Sequence, residues 1–306
     1  MKNLRTLLQT RESLVSFLLE DVGSGDVTSK NILPRDLCVR AQILCKSESP
    51  AIVAGLDEAD VLFDICNCRV RNSVTDGSRV VNGDVVMNIC GSSLSIFLAE
   101  RTALNVIMRM SGIATETRRL VETVRAVDAS IKIAPTRKTA PGLRPFDKRA
   151  VTLGGGILHR SRLDEMVLIK GSHLTCCKSL QQSIKAAKGK IGGSLLLECE
   201  VQNISEAVNA ANTGADVIML DNFSPEQAEI AVREIKRMGS REKIKIEISG
   251  NIGPNNILDY AEARPDVISL GYLTHSSSAV DFSLRILSRG QHHPSRVINS
   301  TRRSLR

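Results

Sequence analysis

Two stretches decide the fold: Leu195-Leu-Leu-Glu-Cys-Glu-Val201 and Val217-Ile-Met-Leu-Asp-Asn222. Each is a short apolar run of strand length that carries acids, Glu198 and Glu200 in the first and Asp221 closing the second. Between them Ser205–Ala211 has helical spacing. Outward from this pair the unit recurs. Ile131–Ala134 leads to Thr136-Arg137-Lys138, Met166–Ile169 to Lys170, Ile244–Ile248 to Ser249-Gly250, and Val267–Leu270 to Gly271. Leu180–Ala187, Pro225–Met238 and Asn255–Ala263 supply further helices. Strand and helix alternating every 20–30 residues or so predicts a parallel β/α architecture. Nearly continuous apolar strands suit a sheet covered on both faces, such as a barrel. An open doubly wound sheet shows the same pattern and is the structural alternative.

In β/α barrels the working residues sit at the C-terminal ends of strands. Arg137, Lys170, Glu200, Asp221 and Ser249 all fall there. Before residue 130 the pattern differs. Leu7, Leu8, Leu14, Phe17 and Leu18 predict an amphipathic helix within residues 4–20. The β-rich runs Val39–Leu44, Ala51–Val53, Arg79–Val81 and Val85–Cys90 predict a small sheet. Leu94–Met110 reads as a long helix closed by Ser111-Gly112, with helix resuming at Leu120–Val127.

Composition narrows the function. The 306 residues suffice for two domains with proper cores. The N-terminus lacks an apolar signal core, and no stretch approaches the roughly 20 apolar residues that span a bilayer. A cytoplasmic protein with no membrane partner is expected. The eight cysteines form no CxxC pair, which fits free thiols in a reducing compartment better than zinc. Net charge +8 invites either nucleic acid or small anions. With no tryptophan, two tyrosines and six phenylalanines, stacking platforms for single-stranded nucleic acid are scarce. Part of the charge sits after residue 287, where Arg289, Arg296, Arg302, Arg303 and Arg306 accompany His292-His293-Pro294 without an acid. A disordered basic tail over 288–306 is expected.

Three groups of residues carry chemistry. Arg137, Lys138, His159, Arg160 and Lys170 form a cationic set; guanidinium forks match carboxylates, and lysine adds point charge. Glu198, Glu200 and Asp221 form an acidic set, suited to Mg²⁺ opposite a polyphosphate or to a developing positive charge on a sugar. Ser249-Gly250-Asn251 and Gly271 end the last two strands, where backbone N–H groups make a phosphate cradle. His173 and His275 also lie in polar loops near strand ends.

The strings Thr136-Arg-Lys-Thr-Ala-Pro-Gly-Leu-Arg144, Gly154-Gly-Gly-Ile-Leu-His-Arg160, Met166-Val-Leu-Ile-Lys170, Glu198-Cys-Glu-Val201, Ile218-Met-Leu-Asp-Asn222 and Leu273-Thr-His-Ser276 resemble the quinolinate phosphoribosyltransferase family. Glu20-Asp21, Gly25-Asp-Val-Thr28, Glu100-Arg-Thr-Ala-Leu-Asn105 and Ser111-Gly-Ile-Ala-Thr115 fit as well, so the likeness runs from about residue 15 to 287. The resemblance implies an N-terminal α/β sandwich over 1–113, completed by about 276–287, beside an incomplete β/α barrel over 114–275. It implies quinolinate and phosphoribosyl pyrophosphate as substrates, Mg²⁺ as cofactor, and a homodimer or dimer-built hexamer with shared active sites. By motif position, quinolinate meets Arg137, Lys138, His159, Arg160 and Lys170, with Arg101 reaching in from another subunit. Glu200 and Asp221 face ribose and metal. Ser249, Gly250, Asn251 and Gly271 hold the 5′-phosphate, with His275 nearby, and Lys138, Lys170, Glu200 and Asp221 are the catalytic set. Two departures stand out: Lys170-Gly171-Ser172-His173 replaces the usual Lys-Asp-Asn-His, and Ser249-Gly250-Asn251 replaces Ser-Gly-Gly. They leave two alternatives, a related phosphoribosyltransferase with another acceptor and a catalytically weak binding protein on the same fold.

Overall fold

A computed structural model describes residues 2–177, 179–238 and 244–289. The chain opens with helices α1 (Lys2–Val22) and α2 (Val27–Ile32), then β1 (Cys38–Cys45), β2 (Ala51–Ile52), α3 (Leu56–Ile65), β3 (Arg69–Asn72), β4 (Arg79–Val80), β5 (Val85–Ser92) and the long helix α4 (Ser93–Arg125). There follow β6 (Lys132–Pro135), α5 (Arg144–Leu153), β7 (Val167–Ile169), α6 (Gly171–Leu174), α7 (Leu180–Ile191), β8 (Leu197–Val201), α8 (Ile204–Thr213), β9 (Val217–Asp221) and α9 (Pro225–Arg237). Last come β10 (Lys245–Ser249), α10 (Ile257–Glu262), β11 (Val267–Leu270), α11 (Tyr272–His275) and β12 (Phe282–Arg289).

The N-terminal sheet is antiparallel, in the order β12-β1-β5-β3. Alternation sends Val39, Ala41 and Ile43 of β1 to its covered face, where Met87, Leu56, Leu62, Phe63, Ile96 and Ile107 complete an apolar core. Strand β12 brings the end of the described chain back to this sheet. It runs to Arg289, two residues into the segment read from sequence as tail; residues 290–306 lie outside the described residues.

Helix α4 corrects one expectation. Ser111-Gly112 does not close it; the helix continues for 33 residues, about 50 Å at 1.5 Å per residue. Ser111 Oγ instead accepts from Ala54 N–H at 2.9 Å and donates to Ala54 O at 3.2 Å. Thr115 Oγ1 accepts from Ile52 N–H at 2.8 Å. Gly112 lets the chain cross on its way to β12: a Cβ there would lie 2.1 Å from Ser278 O. The small and polar residues serve a crossing, and a crossing cannot be read from local pattern. Helices α3 and α5 and strand β3 were likewise absent from the sequence reading.

The second sheet has six parallel strands in the order β6-β11-β10-β9-β8-β7. Strands β7 to β11 follow chain order, whereas a doubly wound sheet reverses order at a switch point. The first strand, β6, lies beyond the last, β11, as a curling barrel requires. Flat, the sheet would hold β6 and β7 about 24 Å apart, five spacings of roughly 4.8 Å. Yet residues following both strands line one cavity. The sheet is therefore a barrel left open between β6 and β7. Helices on its outside start on side-chain caps: Ser179 for α7, Asn203 for α8, and a Ser224–Gln227 capping box with Pro225 for α9.

Candidate active site

Period-two alternation builds the site. In β8, Glu198 and Glu200 face the same way, into the barrel. Register then aligns Glu200 with Met219, Met219 with Glu247, Asp221 with Ser249, and Ser249 with Ser269. The outer layer forms the floor of a cavity of about 470 Å³ at the C-terminal ends of the strands. Its wall holds Arg137, Lys138, His159, Arg160, Lys170, Glu200, Asp221, Ser249, Gly250 and Asn251, ten of the thirteen site residues expected from sequence. A wider depression of about 780 Å³ lies on the open face of the N-terminal sheet; it is lined by Arg40, Arg69 and Arg71 but by no carboxylate.

Three expected residues do not line the cavity. Arg101 is exposed on α4. Gly271 is packed behind Lys138: a Cβ there would meet Lys138 Cδ at 2.8 Å and His275 Nε2 at 2.9 Å. His275 is exposed, with Nδ1 2.6 Å from Ser276 Oγ. His173 is structural, its Nδ1 accepting the Lys170 N–H at 3.0 Å where α6 begins.

The charged groups are paired and braced. Lys170 Nζ lies 2.6 Å from Glu200 Oε1. Burial pushes the Asp221 carboxyl above its usual range, and the charge of Glu200 adds to this; the Asn222 hydrogen bond and Lys170 and Lys138 oppose it. Burial and the neighbouring Arg137 lower the Arg160 pKa. Arg137 keeps Nε buried and without a hydrogen-bond partner, a donor held ready for an anion.

The glycine segment after β10 is braced from β9. Gly250 has φ +95°, and a Cβ would fall 2.3 Å from Asn222 Oδ1. Asn251 adopts φ +50°, which asparagine tolerates better than most residues. Its Nδ2 donates to Asn222 Oδ1 at 3.0 Å, and Asn222 Nδ2 donates to Asp221 Oδ2 at 3.0 Å. Asn251 thus joins the Asp221 network through Asn222.

Sequence reasoning missed the residues that act from behind. Lys148, 3% exposed, donates from Nζ to the carbonyls of His159 at 2.5 Å and Arg160 at 2.6 Å. Burial lowers its pKa to about 8. Arg144 donates to Thr139 Oγ1 at 3.0 Å and Ser161 O at 2.9 Å, fixing the loop after β6. Glu247 has a signal that could have found it: an acid two positions before Ser249, between Ile246 and Ile248. Glu198 needs correction. It belongs apart from Glu200 and Asp221, fully buried and absent from the cavity wall.

A barrel mouth that sets four cations and a histidine against the carboxylates of Glu200, Asp221 and Glu247, with a glycine turn at its rim, defines an enzyme-type site for small polyanions. The models "Quinolinate phosphoribosyl transferase, N-terminal domain" and "C-terminal domain" match residues 26–111 and 113–285. The chain belongs to the quinolinate phosphoribosyltransferase family. It is 45% identical over 263 residues to a probable nicotinate-nucleotide pyrophosphorylase [carboxylating] of Archaeoglobus fulgidus, covering 86% of this chain and 98% of that one. It is 34% identical over 243 residues to the human nicotinate-nucleotide pyrophosphorylase [carboxylating], covering 79% and 81%. The solved structure of NadC from Streptococcus pyogenes superimposes with TM-score 0.84 at 35% identity, over 92% of this chain and 98% of that one.

Proposed function

We propose that the chain joins quinolinate to phosphoribosyl pyrophosphate, releasing pyrophosphate and CO₂ and leaving nicotinate mononucleotide for NAD biosynthesis. One observation carries this reading: Arg137, Lys138, His159, Arg160 and Lys170 share a single cavity wall with Glu200 and Asp221. A doubly anionic ring and an activated sugar need both kinds of group side by side.

In this reading Arg137, Arg160 and His159 hold the two carboxylates of the pyridine, with Lys138 and Lys170 beside the reacting centre. Orientation supplies much of the rate, because the ring nitrogen is itself the nucleophile. As the bond from ribose C1 to pyrophosphate breaks, positive charge grows on the sugar. Glu200 and Asp221 face that charge and stabilise it. The nitrogen then bonds to C1; the positive charge of the pyridinium so formed stabilises the electron pair left on C2 when the adjacent carboxylate departs as CO₂, and a proton from water takes up that pair to give the C2–H of nicotinate mononucleotide. Ser249, Gly250 and Asn251 cradle the 5′-phosphate.

Glu200 and Asp221 offer hard carboxylate oxygens at the mouth, and their mutual repulsion fits a divalent cation, so they are the residues that would hold Mg²⁺. When bound, Mg²⁺ supplies charge neutralisation of the pyrophosphate leaving group. A homodimer, or a hexamer built from dimers, is part of the reading: Arg101 is exposed, away from its own cavity, and would serve that of a second copy. We infer a cytoplasmic location. All eight cysteines are free, and no described helix is long and apolar enough to cross a membrane.

The test is direct. Purified protein with quinolinate, phosphoribosyl pyrophosphate and Mg²⁺ is expected to yield CO₂ and nicotinate mononucleotide in equal amounts. Pyrophosphate release with another pyridine or pyrimidine acid, and none with quinolinate, would replace the acceptor.

A further inference from the structure

Two carboxylates, Glu198 beneath the cavity and Glu247 in its lining, have no task in the reaction as described. Glu198 and Glu247 are 0% and 2% exposed. They come from β8 and β10, and both approach one atom, His159 Nε2. Glu198 Oε2 lies 3.0 Å away and Glu247 Oε2 3.5 Å. Each keeps its other oxygen, Oε1, buried without a hydrogen-bond partner. Two carboxylates buried this close together are costly unless a cation or a proton offsets them.

Taking the cavity as the quinolinate site read above, we propose that Glu198 and Glu247 are positioning residues, which grip His159 by Nε2 and turn Nδ1–H toward a carboxylate of the pyridine acid. The two ring nitrogens diverge, so a ring held at Nε2 between two strands has Nδ1 as its remaining donor. His159 lines the cavity, and no described residue hydrogen-bonds to its Nδ1. For both nitrogens to donate, the ring must be the imidazolium.

The surrounding charges favour that form. Burial works against a charge on His159; the hydrogen bond from Nε2 to Glu198 and the negative charges of Glu247 and Glu198 outweigh it, and its pKa is raised. Lys148 on α5 opposes the charge, and Arg160 and Arg137 line the same wall. Glu247 is itself pushed up by burial and by Glu198, with His159 and Ser269 of β11 opposing the rise. The imidazolium is therefore present at low pH and lost as pH rises through the raised value. Removing either carboxylate lowers that value.

The experiment uses the full chain, with Glu198→Gln and Glu247→Gln. Imidazole ¹⁵N shifts of His159, assigned with His159→Asn, are followed against pH without substrate, alongside initial rates. Wild-type His159 is expected to carry both protons at pH 7. In each variant its midpoint should fall by about one pH unit, a tenfold change in proton affinity. The alkaline limb of kcat/KM for quinolinate should move down with it. The KM for quinolinate should rise about tenfold near pH 8, while that for phosphoribosyl pyrophosphate stays within twofold. A neutral His159 at pH 7 in the wild type would overturn the proposal, and that measurement needs neither glutamine variant to fold. An unchanged midpoint in both variants would do the same. So would stoichiometric Zn²⁺ that displaces the Nε2 proton, which would make the three side chains a metal site. If the ¹⁵N results hold but quinolinate is not turned over, the clamp stands and the acceptor is wrong.

Discussion

The two larger sheets among the described residues follow the same alternation and bury opposite material. The N-terminal sheet packs Ile43, Met87, Leu62 and Phe63 against its covered face and leaves Arg40, Arg69 and Arg71 on the open one. The barrel turns Glu198, Glu247, Ser249 and Ser269 inward and keeps them buried. In a flat sheet the second face meets water, so charge there is harmless. In a curled sheet the second face meets itself, and polar side chains placed there must satisfy one another or a ligand. The lesson is a division of labour. The apolar core and the shell of helices supply stability, and the barrel interior sacrifices some of it to a preorganised anion site.

That division can be broken at several points. Arg137→Ala should have the largest effect, lowering kcat/KM for quinolinate on the order of a thousandfold, about 4 kcal/mol. Circular dichroism and the melting temperature should hardly change, because Arg137 braces no core element; near-normal turnover would remove it from the anion clamp. Ile43→Ala should show the reverse. About 2–4 kcal/mol of stability should be lost in urea unfolding, from a fully buried side chain, with KM unaltered where the protein is still folded. Glu200→Ala should lower kcat on the order of a hundredfold with a smaller change in substrate KM, since the sugar charge it faces appears only as the transition state forms, whereas its resting partner Lys170 remains in the cavity. A rise in KM alone would contradict that role.

Smaller effects sharpen the contrast. Gly112→Ala places a methyl group where Ser278 O now lies, and should cost about 1–3 kcal/mol by separating α4 from the segment leading to β12. The smallest effect is a pH slope. His159 and Glu247 both have raised pKa values in the folded protein, against ordinary values of 6.5 and 4.5. The folded state therefore binds more protons than the unfolded state above about pH 4.5. The stability these groups contribute is present at low pH and is lost as pH rises through their folded values. Glu247→Gln should remove about 1 kcal/mol of the stability difference between about pH 5.5 and pH 8, measured by urea unfolding.

Much of the site was legible because it is local in sequence. Each of Lys170, Glu200, Asp221 and Ser249 ends or follows its own apolar run, and a parallel sheet collects such ends at one mouth. The failures are also of one kind. Ser111-Gly112 looks like a helix stop until the chain near Ser278 is seen crossing it. Lys148 looks like a surface residue of an undetected helix until its amine is found under the His159 and Arg160 carbonyls. Glu198 looks equivalent to Glu200 until the depth of the barrel separates them.

The amino-acid order alone determined the alternation of strands and helices, the face of each strand and the charges at its end, because these depend on neighbours within a few residues. Only the tertiary structure decided that the sheet curls, that β6 lies beside β11, and that Glu198 and Glu247 meet at one histidine nitrogen. Those outcomes depend on shear and closure summed over all six strands, and no single segment encodes a sum.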